Sequence, residues 1–272
     1  MSISQSLAAL KNRFEASGRM PVVFLGHGSP MNVIEDNPYS PVWAALGRAL
    51  PRPQAILAVS AHWMTRGGTL VDVSARPRTI HDFHGFPPEL YAQDYPAPGA
   101  PEIARDVVAL LADHQTRGDE SWGLDHGAWA VLKSLYPAAD IPVFQLSIDM
   151  TKDLDHHFEI GRALSDLRRR GILILGSGNI VHNLHLMRPD IPPYDWAEEF
   201  DALFTERLQA RDFQTLTDRQ KLGRLLTLAH PTLDHYFPAL TIAGASDDTD
   251  ELLFITETID LAAIAMRGFI YS

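Results

Sequence analysis

A chain of 272 residues can bury a large core, and its 46% hydrophobic and 21% charged residues are typical of a globular protein. The net charge of −11, with no basic run longer than 168–170, argues against a nucleic-acid partner. The absence of cysteine excludes disulfides, zinc–thiolate sites and a cysteine nucleophile, so a metal would depend on nitrogen and oxygen ligands, above all the 12 histidines. The first 20 residues lack the apolar core of a signal peptide, and no later run approaches a membrane span; we expect a cytoplasmic location.

The hydrophobic pattern alternates short apolar runs with longer segments of helical periodicity. In chain order, the predicted elements are helix 6–14, strand 22–26, helix 41–50, strand 55–61, strand 69–73, helix 102–114, helix 128–136, strand 142–148, helix 154–170, strand 172–175, helix 196–208, helix 218–228, strand 239–243 and strand 252–256. A proline-rich stretch at 87–101 is predicted to be a long ordered loop. This alternation predicts one α/β domain over 1–272, with a central, mostly parallel sheet flanked by helices and a helical extension at 1–19.

Three histidines follow predicted strands. His27 comes directly after 22–26, His62 directly after 55–61, and His182 follows 172–175 after a glycine-bearing turn. One histidine beside an apolar run is more often structural than a ligand, but three at the same kind of location are hard to explain by packing. Because ligands bind outside the carboxyl ends of parallel strands, the pattern predicts a metal site at that edge of the sheet.

Further histidines are candidates for the same site. His230 and His235 both precede the predicted strand at 239–243, and spacing leaves either of them open as a ligand. His126 lies in a glycine-bounded segment beside Asp125, a carboxylate that suits either orienting a histidine or capping a helix. Three other histidines fall on predicted helices and are interpreted as surface residues: His114, His156 and His157.

A series of motifs runs in order from about residue 20 to the end of the chain. They are GHGSPM at 26–31, SAHW at 60–63, HDF and GFP within 81–87, YPAPG at 95–99, DHG at 125–127, SGN and HN within 177–183, and PT and HY within 231–236. This set resembles the DOPA-dioxygenase branch of the class III (LigB-type) extradiol ring-cleavage dioxygenases. The resemblance implies an α/β domain that binds non-haem iron(II), with zinc sometimes in its place, and that uses O2 to open a catechol ring beside its hydroxyls.

The resemblance also implies roles for individual histidines. His27, His62 and His235 match the metal ligands, which makes His230 the weaker alternative. His182 matches an acid/base histidine that sometimes joins a zinc shell as a fourth ligand. Because three ligands leave room on an octahedral iron for both catechol oxygens and O2, we expect His182 to stay off the metal during turnover. His126 matches a second catalytic histidine near the substrate.

Aromatic residues are the predicted substrate contacts, together with one histidine of the matched motifs. We expect His81, Phe83 and Trp129 to contact the substrate, although Phe83, Trp122 and Trp129 suit the core equally well. His84 departs from the family pattern, which usually has a small residue there, and we expect it to narrow or recharge the pocket.

Two other functions fit the same histidines. Three histidines and a water are also the pattern of a zinc-dependent hydrolase or lyase, and a non-enzymatic metal-binding protein on this fold is a further alternative. The acid/base candidates His182 and His126 argue against the latter. A serine nucleophile is disfavoured because neither Ser29 nor Ser60 has a G-x-S-x-G setting. The expected partners are therefore a small catechol, DOPA or a relative, and O2; neither nucleic acid, a membrane nor a protein partner is implied.

Overall fold

The computed structural model describes residues 3–272, and its centre is a mixed β-sheet. In the described residues the strands are β1 (Val22–Gly26), β2 (Ala55–Thr65), β3 (Leu70–Asp72), β4 (Arg117–Asp119), β5 (Val143–Asp149), β6 (Ile172–Gly178), β7 (Leu252–Ile255), β8 (Ile259–Asp260), β9 (Ile264–Ala265) and β10 (Gly268–Tyr271). Eight of them form one sheet in the order β4-β3-β5-β2-β6-β1-β10-β7, while β8 and β9 pair separately. The four central strands β5, β2, β6 and β1 are parallel, which confirms the predicted architecture.

Helices cover both faces of this sheet. They are α1 (Ile3–Ser17), α2 (Tyr39–Ala49), α3 (Pro88–Tyr91), α4 (Pro101–Leu110), α5 (His126–Leu135), α6 (Leu154–Leu164), α7 (Asp195–Gln209), α8 (Phe213–Leu216), α9 (Arg219–Ala229) and α10 (Phe237–Gly244). Short 3-10 turns occupy Pro30–Val33, Ala112–His114, Ser165–Arg170 and Leu184–Leu186. Within residues 3–272, no helix is both long and apolar enough to cross a bilayer.

The central strands are apolar throughout because both faces of the sheet are covered. In β1, Val22 and Phe24 belong to one hydrophobic cluster, and Val23 and Leu25 belong to the cluster on the opposite face. Successive side chains of a strand point to opposite faces, so a strand buried on both sides reads as a continuous apolar run. The predictions of these strands succeeded for that reason.

One predicted strand is wrong, because residues 239–243 lie inside the helix α10. Every residue of α10 is buried, so its sequence shows none of the polar positions that reveal a helical period. The helix packs closely on α6 through two glycines. A Cβ at Gly161 would lie 2.0 Å from the carbonyl oxygen of Thr241, and a Cβ at Gly244 would lie 2.0 Å from that of Phe158.

The parallel strands bring the expected site to one edge of the sheet. β6 lies between β1 and β2, with Gly178 opposite Gly26 and Ser177 opposite Ser60. His27 follows β1 directly. His62 lies inside β2 rather than after it. The pairing of β2 with β6 ends at Ser60, however, so His62 lies beyond the regular hydrogen-bonded ladder between these two strands. Their imidazoles therefore meet across the end of β6, at the carboxyl edge that the parallel strands share.

Candidate metal centre

Three of the histidines singled out in the sequence form a cluster at this edge. One ring nitrogen from each of His27, His62 and His235 lies within 4.8 Å of the other two. The Nε2 atoms of His27 and His62 are 3.1 Å apart. His27 and His235 are buried, and His62 is partly exposed. We call these three residues the histidine cluster.

The other nitrogen of each ring has a partner that fixes its proton. The Ser177 hydroxyl donates its single proton to the Gly127 carbonyl at 2.5 Å, so it accepts from Nδ1–H of His27 at 2.9 Å. The carboxylate of Asp234 accepts from Nδ1–H of His235. With Nδ1 protonated, Nε2 of both rings carries a lone pair, as in metal sites whose histidines are oriented by a second hydrogen bond.

Asp82 plays the corresponding part for His62. Its Oδ2 atom lies 3.4 Å from Nδ1 of His62, where the negative charge favours a proton on Nδ1 and leaves Nε2 unprotonated. Burial, followed by repulsion from His126, lowers the pKa of His62 to about 4. Burial likewise lowers the pKa of His27 and of His235 well below the ordinary value, so the cluster is neutral at pH 7.

These protonation states make the cluster fit a cation. The unprotonated Nε2 atoms of His27 and His62 face each other at 3.1 Å with no proton to share, an arrangement that a bound cation would stabilise. Neutral imidazoles suit iron, zinc and copper, whereas magnesium and calcium prefer oxygen ligands. The donor set therefore fits the iron(II) or zinc implied by the sequence, and it leaves the choice between them open.

The segment 230–235 reaches the cluster by crossing the end of β6. The backbone amide of Asn179 donates to the carbonyl of His235 at 3.1 Å, and a Cβ at Gly178 would lie 2.3 Å from that oxygen. Glycine at 178 is thus required for this close approach. His230, the alternative ligand, instead donates from Nε2 to the carbonyl of Ile180 at 2.7 Å and lies outside the cluster.

His182 lies beside the cluster rather than within it. Its ring stacks on that of His235, with centroids 3.4 Å apart and planes only 6° from parallel. The lone pair of an imidazole nitrogen lies in the ring plane, so two parallel rings direct their lone pairs along lines that do not converge on one ion. Burial, followed by repulsion from His230, lowers the pKa of His182 to about 3, and the ring is a neutral base at pH 7.

His126 completes the group from the first turn of α5. Its Nδ1–H donates to Asp82 at 2.9 Å, and its ring centroid is 3.9 Å from that of His62. A Cβ at Gly127 would lie 2.4 Å from the Ser60 hydroxyl, so glycine there allows α5 to approach β2. Asp125 orients no histidine ring; it caps α5 by accepting from the Ala128 amide at 3.2 Å, the second of the two predicted roles.

All five histidines line one cavity of about 540 Å3, which we call the central cavity. Much of its remaining lining is apolar: Phe83, Phe86, Leu184, Met187, Leu261, Ile264 and Met266. Of the predicted substrate contacts, Phe83 lines the cavity. Trp129 is fully buried in the core with its indole N–H donating to the Ile80 carbonyl, and His81 donates to the Gln93 carbonyl; neither lines the cavity.

Two further expectations about individual side chains differ from the structure. His84 is exposed and does not line the central cavity, so it neither narrows nor recharges the wall of that cavity. His157 was interpreted as a surface residue but is buried, with its ring against Phe237 at a centroid distance of 3.9 Å.

Asp82 is a residue of the site that pattern reasoning missed. It accepts both the backbone N–H and Nδ1–H of His126 at 2.9 Å and also faces His62. Burial would raise its pKa, but the hydrogen bonds from His126 and the electrostatic attraction of the carboxylate to the rings of His126 and His62 outweigh burial and hold the pKa at about 2. Its motif was part of the family resemblance, but nothing in its spacing linked it to residues 44 positions away.

We expect Asp82→Asn to weaken both metal binding and turnover. An asparagine keeps the size of the side chain but removes the charge that holds His62 and His126 in one tautomer. Loss of such an outer partner costs about 10–100-fold in metal affinity or activity. Metal titration and kcat measured on the same preparation check this. Asp94→Asn, an exposed change in the neighbouring loop, is the control; equal effects of the two variants would contradict the role of Asp82.

Comparison with known proteins places this geometry in context. The family model described as the catalytic LigB subunit of aromatic ring-opening dioxygenase matches residues 21–263. A 4,5-DOPA dioxygenase extradiol from Escherichia coli (strain K12) is 47% identical over 265 residues, covering 94% of this chain and 96% of that relative. A protein of the same name from Beta vulgaris is 36% identical, with coverages of 87% and 91%. A crystal structure of an uncharacterized protein from Escherichia coli K12 has a TM-score of 0.82 at 42% identity and covers 93% of this chain and 100% of its own.

Proposed function

This chain belongs to the LigB family of aromatic ring-opening dioxygenases, and from that premise we propose that it opens a catechol ring beside its hydroxyls, with DOPA as the first candidate substrate. The observation that carries the proposal is the histidine cluster, whose unprotonated Nε2 atoms face one another beside a largely apolar cavity. A cavity of about 540 Å3 accommodates a single substituted aromatic ring.

His27, His62 and His235 would hold the metal, which we propose is iron(II). Iron, when bound, would supply the redox chemistry that allows a catechol to react with O2. Three neutral ligands would leave the full positive charge of the ion facing the cavity, which favours a catechol that has lost a proton. Phe83 and Phe86 line the same cavity and supply apolar surface for the aromatic ring.

His182 is suited to take the catechol proton. It is neutral at pH 7, lines the cavity and has no side-chain hydrogen-bond partner within the described residues. The stacking of its ring on His235 supports an acid/base role rather than permanent ligation, because their lone pairs do not converge. A positioned base of this kind contributes about 10²–10⁴-fold to a rate.

His126 is suited to orient the substrate. Since its Nδ1–H is committed to Asp82, Nε2 is the ring nitrogen left to contact a catechol hydroxyl. We propose that loss of His126 slows turnover more than it weakens metal binding, because Asp82 still faces His62.

The proposed function is tested by O2 uptake with two metals. Protein loaded anaerobically with iron(II), and a matched zinc(II) sample, are mixed with DOPA and a panel of simpler catechols in an oxygen electrode. We expect the iron-loaded sample to consume one O2 per catechol and the zinc-loaded sample to consume none. No uptake with iron for any catechol, combined with zinc-dependent hydrolysis or elimination, would favour a zinc hydrolase or lyase instead.

A further inference from the structure

The central cavity is lined by acidic residues but, among the residues that the structure describes, by no lysine or arginine. Two acidic residues line it, Asp234 and Asp260. A negatively charged substituent that enters this cavity would therefore be repelled by the acidic residues. Apart from the metal ion, no lysine or arginine of the described lining would compensate this repulsion.

The carboxylates of Asp234 and Asp260 differ in the hydrogen bonds that they already accept. Asp234 is committed to Nδ1–H of His235. Asp260 accepts at Oδ1 from the Tyr39 hydroxyl at 2.5 Å, and no side chain that the structure describes forms a hydrogen bond or ion pair with its Oδ2 atom. Burial, followed by the hydrogen bond to Asp260, raises the pKa of Tyr39 to about 12, so Tyr39 remains a donor. Asp260, a residue of the cavity lining, thus keeps one carboxylate oxygen available to a ligand.

The backbone that carries Asp260 is strained and held in place. The turn after it has two successive residues in the left-handed region, Leu261 at φ 47° and Ala262 at φ 61°, neither of which is glycine. Such a conformation is unfavourable for a residue with a Cβ, which lies too close to the following carbonyl oxygen. Three backbone amides of the segment 183–194 donate to the carbonyls of residues 261–263 at 2.9–3.2 Å and stabilise it. Strain retained beside a ligand cavity indicates that the position of this turn matters for binding.

We propose that Asp260 binds the ammonium group of the substrate side chain, so that the cavity selects amine-bearing catechols over catechols whose side chain carries only a carboxylate. The proposal rests on the proposed function, because the histidine cluster must hold the hydroxyl end of the ring. A charge-assisted hydrogen bond from an ammonium to Oδ2 would use the acceptor that Tyr39 leaves free. Asp260 is thus a specificity-determining residue.

The test is equilibrium binding to the zinc-loaded protein, in which no turnover is expected. Calorimetry gives the dissociation constants of dopamine, 4-methylcatechol and 3-(3,4-dihydroxyphenyl)propanoate. We expect the wild type to bind dopamine at least about tenfold more tightly than the propanoate. In Asp260→Asn, the preference for dopamine over 4-methylcatechol should fall about tenfold or more, the range for a hydrogen bond to a charged group.

Two further variants separate charge from structural damage. Asp260→Glu keeps the charge and should retain most of the preference for dopamine. Tyr39→Phe removes the hydrogen bond to Oδ1 but keeps the carboxylate, so a preference at least as strong as in the wild type is expected. An unchanged preference in Asp260→Asn, or propanoate binding as tight as dopamine binding in the wild type, would overturn the proposal.

The binding readout also separates this proposal from the proposed function. Selective binding of dopamine to the zinc-loaded protein, with no O2 uptake by the iron-loaded protein, would support Asp260 and contradict the ring-opening reaction. O2 uptake that does not distinguish the amine from the carboxylate, with matching dissociation constants, would support the reaction and overturn the role of Asp260. A zinc-loaded protein that binds none of the catechols would overturn the role of Asp260, and the absence of O2 uptake by the iron-loaded protein in addition would overturn both.

Discussion

His235→Ala is expected to abolish stoichiometric iron binding, whereas His230→Gln should leave it intact. Both histidines are buried, five positions apart, and both precede α10. Only His235 has its Nδ1 proton held by a carboxylate and its other nitrogen within reach of His27 and His62. His230 uses Nε2 to bind the Ile180 carbonyl, a bond that the side-chain amide of glutamine can replace. Comparing these two variants therefore separates the loss of a metal ligand from the loss of a buried histidine.

The expected loss of metal affinity in His235→Ala exceeds about 100-fold, the upper end of what loss of an outer partner alone costs. Anaerobic titration with iron(II), followed by the O2 electrode, measures affinity and activity on one sample. His27→Ala and His62→Ala should behave in the same way. Retention of metal in His235→Ala together with its loss in His230→Gln would show that the assignment of the third ligand is wrong.

His182→Ala is expected to keep the metal and lose turnover. The ring lines the cavity and lies parallel to His235, so its removal deletes a base without removing a lone pair directed at the cluster. The kcat for catechol should fall by about 10²–10⁴-fold, the usual contribution of a positioned acid or base. Iron content measured beside kcat distinguishes loss of the base from loss of the metal.

His185→Ala is the matched control for that experiment, because His185 is exposed and lies three positions away on the Leu184–Leu186 turn. It should leave both kcat and iron content as in the wild type. Full ring-opening turnover in His182→Ala would contradict its acid/base role. Loss of iron from His182→Ala would instead identify His182 as a permanent fourth ligand.

The sequence was sufficient to locate the edge of the sheet at which the histidines meet. Strands buried on both faces leave continuous apolar runs, and their carboxyl ends are adjacent in a parallel sheet. His27 and His62 were found in this way, from chain order alone. The helix α10 was mistaken for a strand because a fully buried segment shows no period, and His157 was placed on the surface although it packs against Phe237.

The choice between neighbouring candidate residues depends on their tertiary contacts, which the local sequence does not reveal. His230 and His235 differ in their partners, the Ile180 carbonyl and Asp234, rather than in their local spacing. Asp82 reaches His126 across 44 positions. Asp260 precedes a turn whose left-handed residues are leucine and alanine, so the glycine or asparagine that marks such turns in a sequence is missing.

The most direct test of the central claim is the fate of labelled oxygen in a single turnover. The iron(II)-loaded protein is mixed anaerobically with catechol, exposed to ¹⁸O2, and treated at once with borohydride so that an aldehyde cannot exchange its oxygen with water. We expect a ring-opened product carrying both labelled atoms, and no ring-opened product from His235→Ala. An unlabelled quinone, or a ring-opened product whose new oxygen comes from water, would contradict the account.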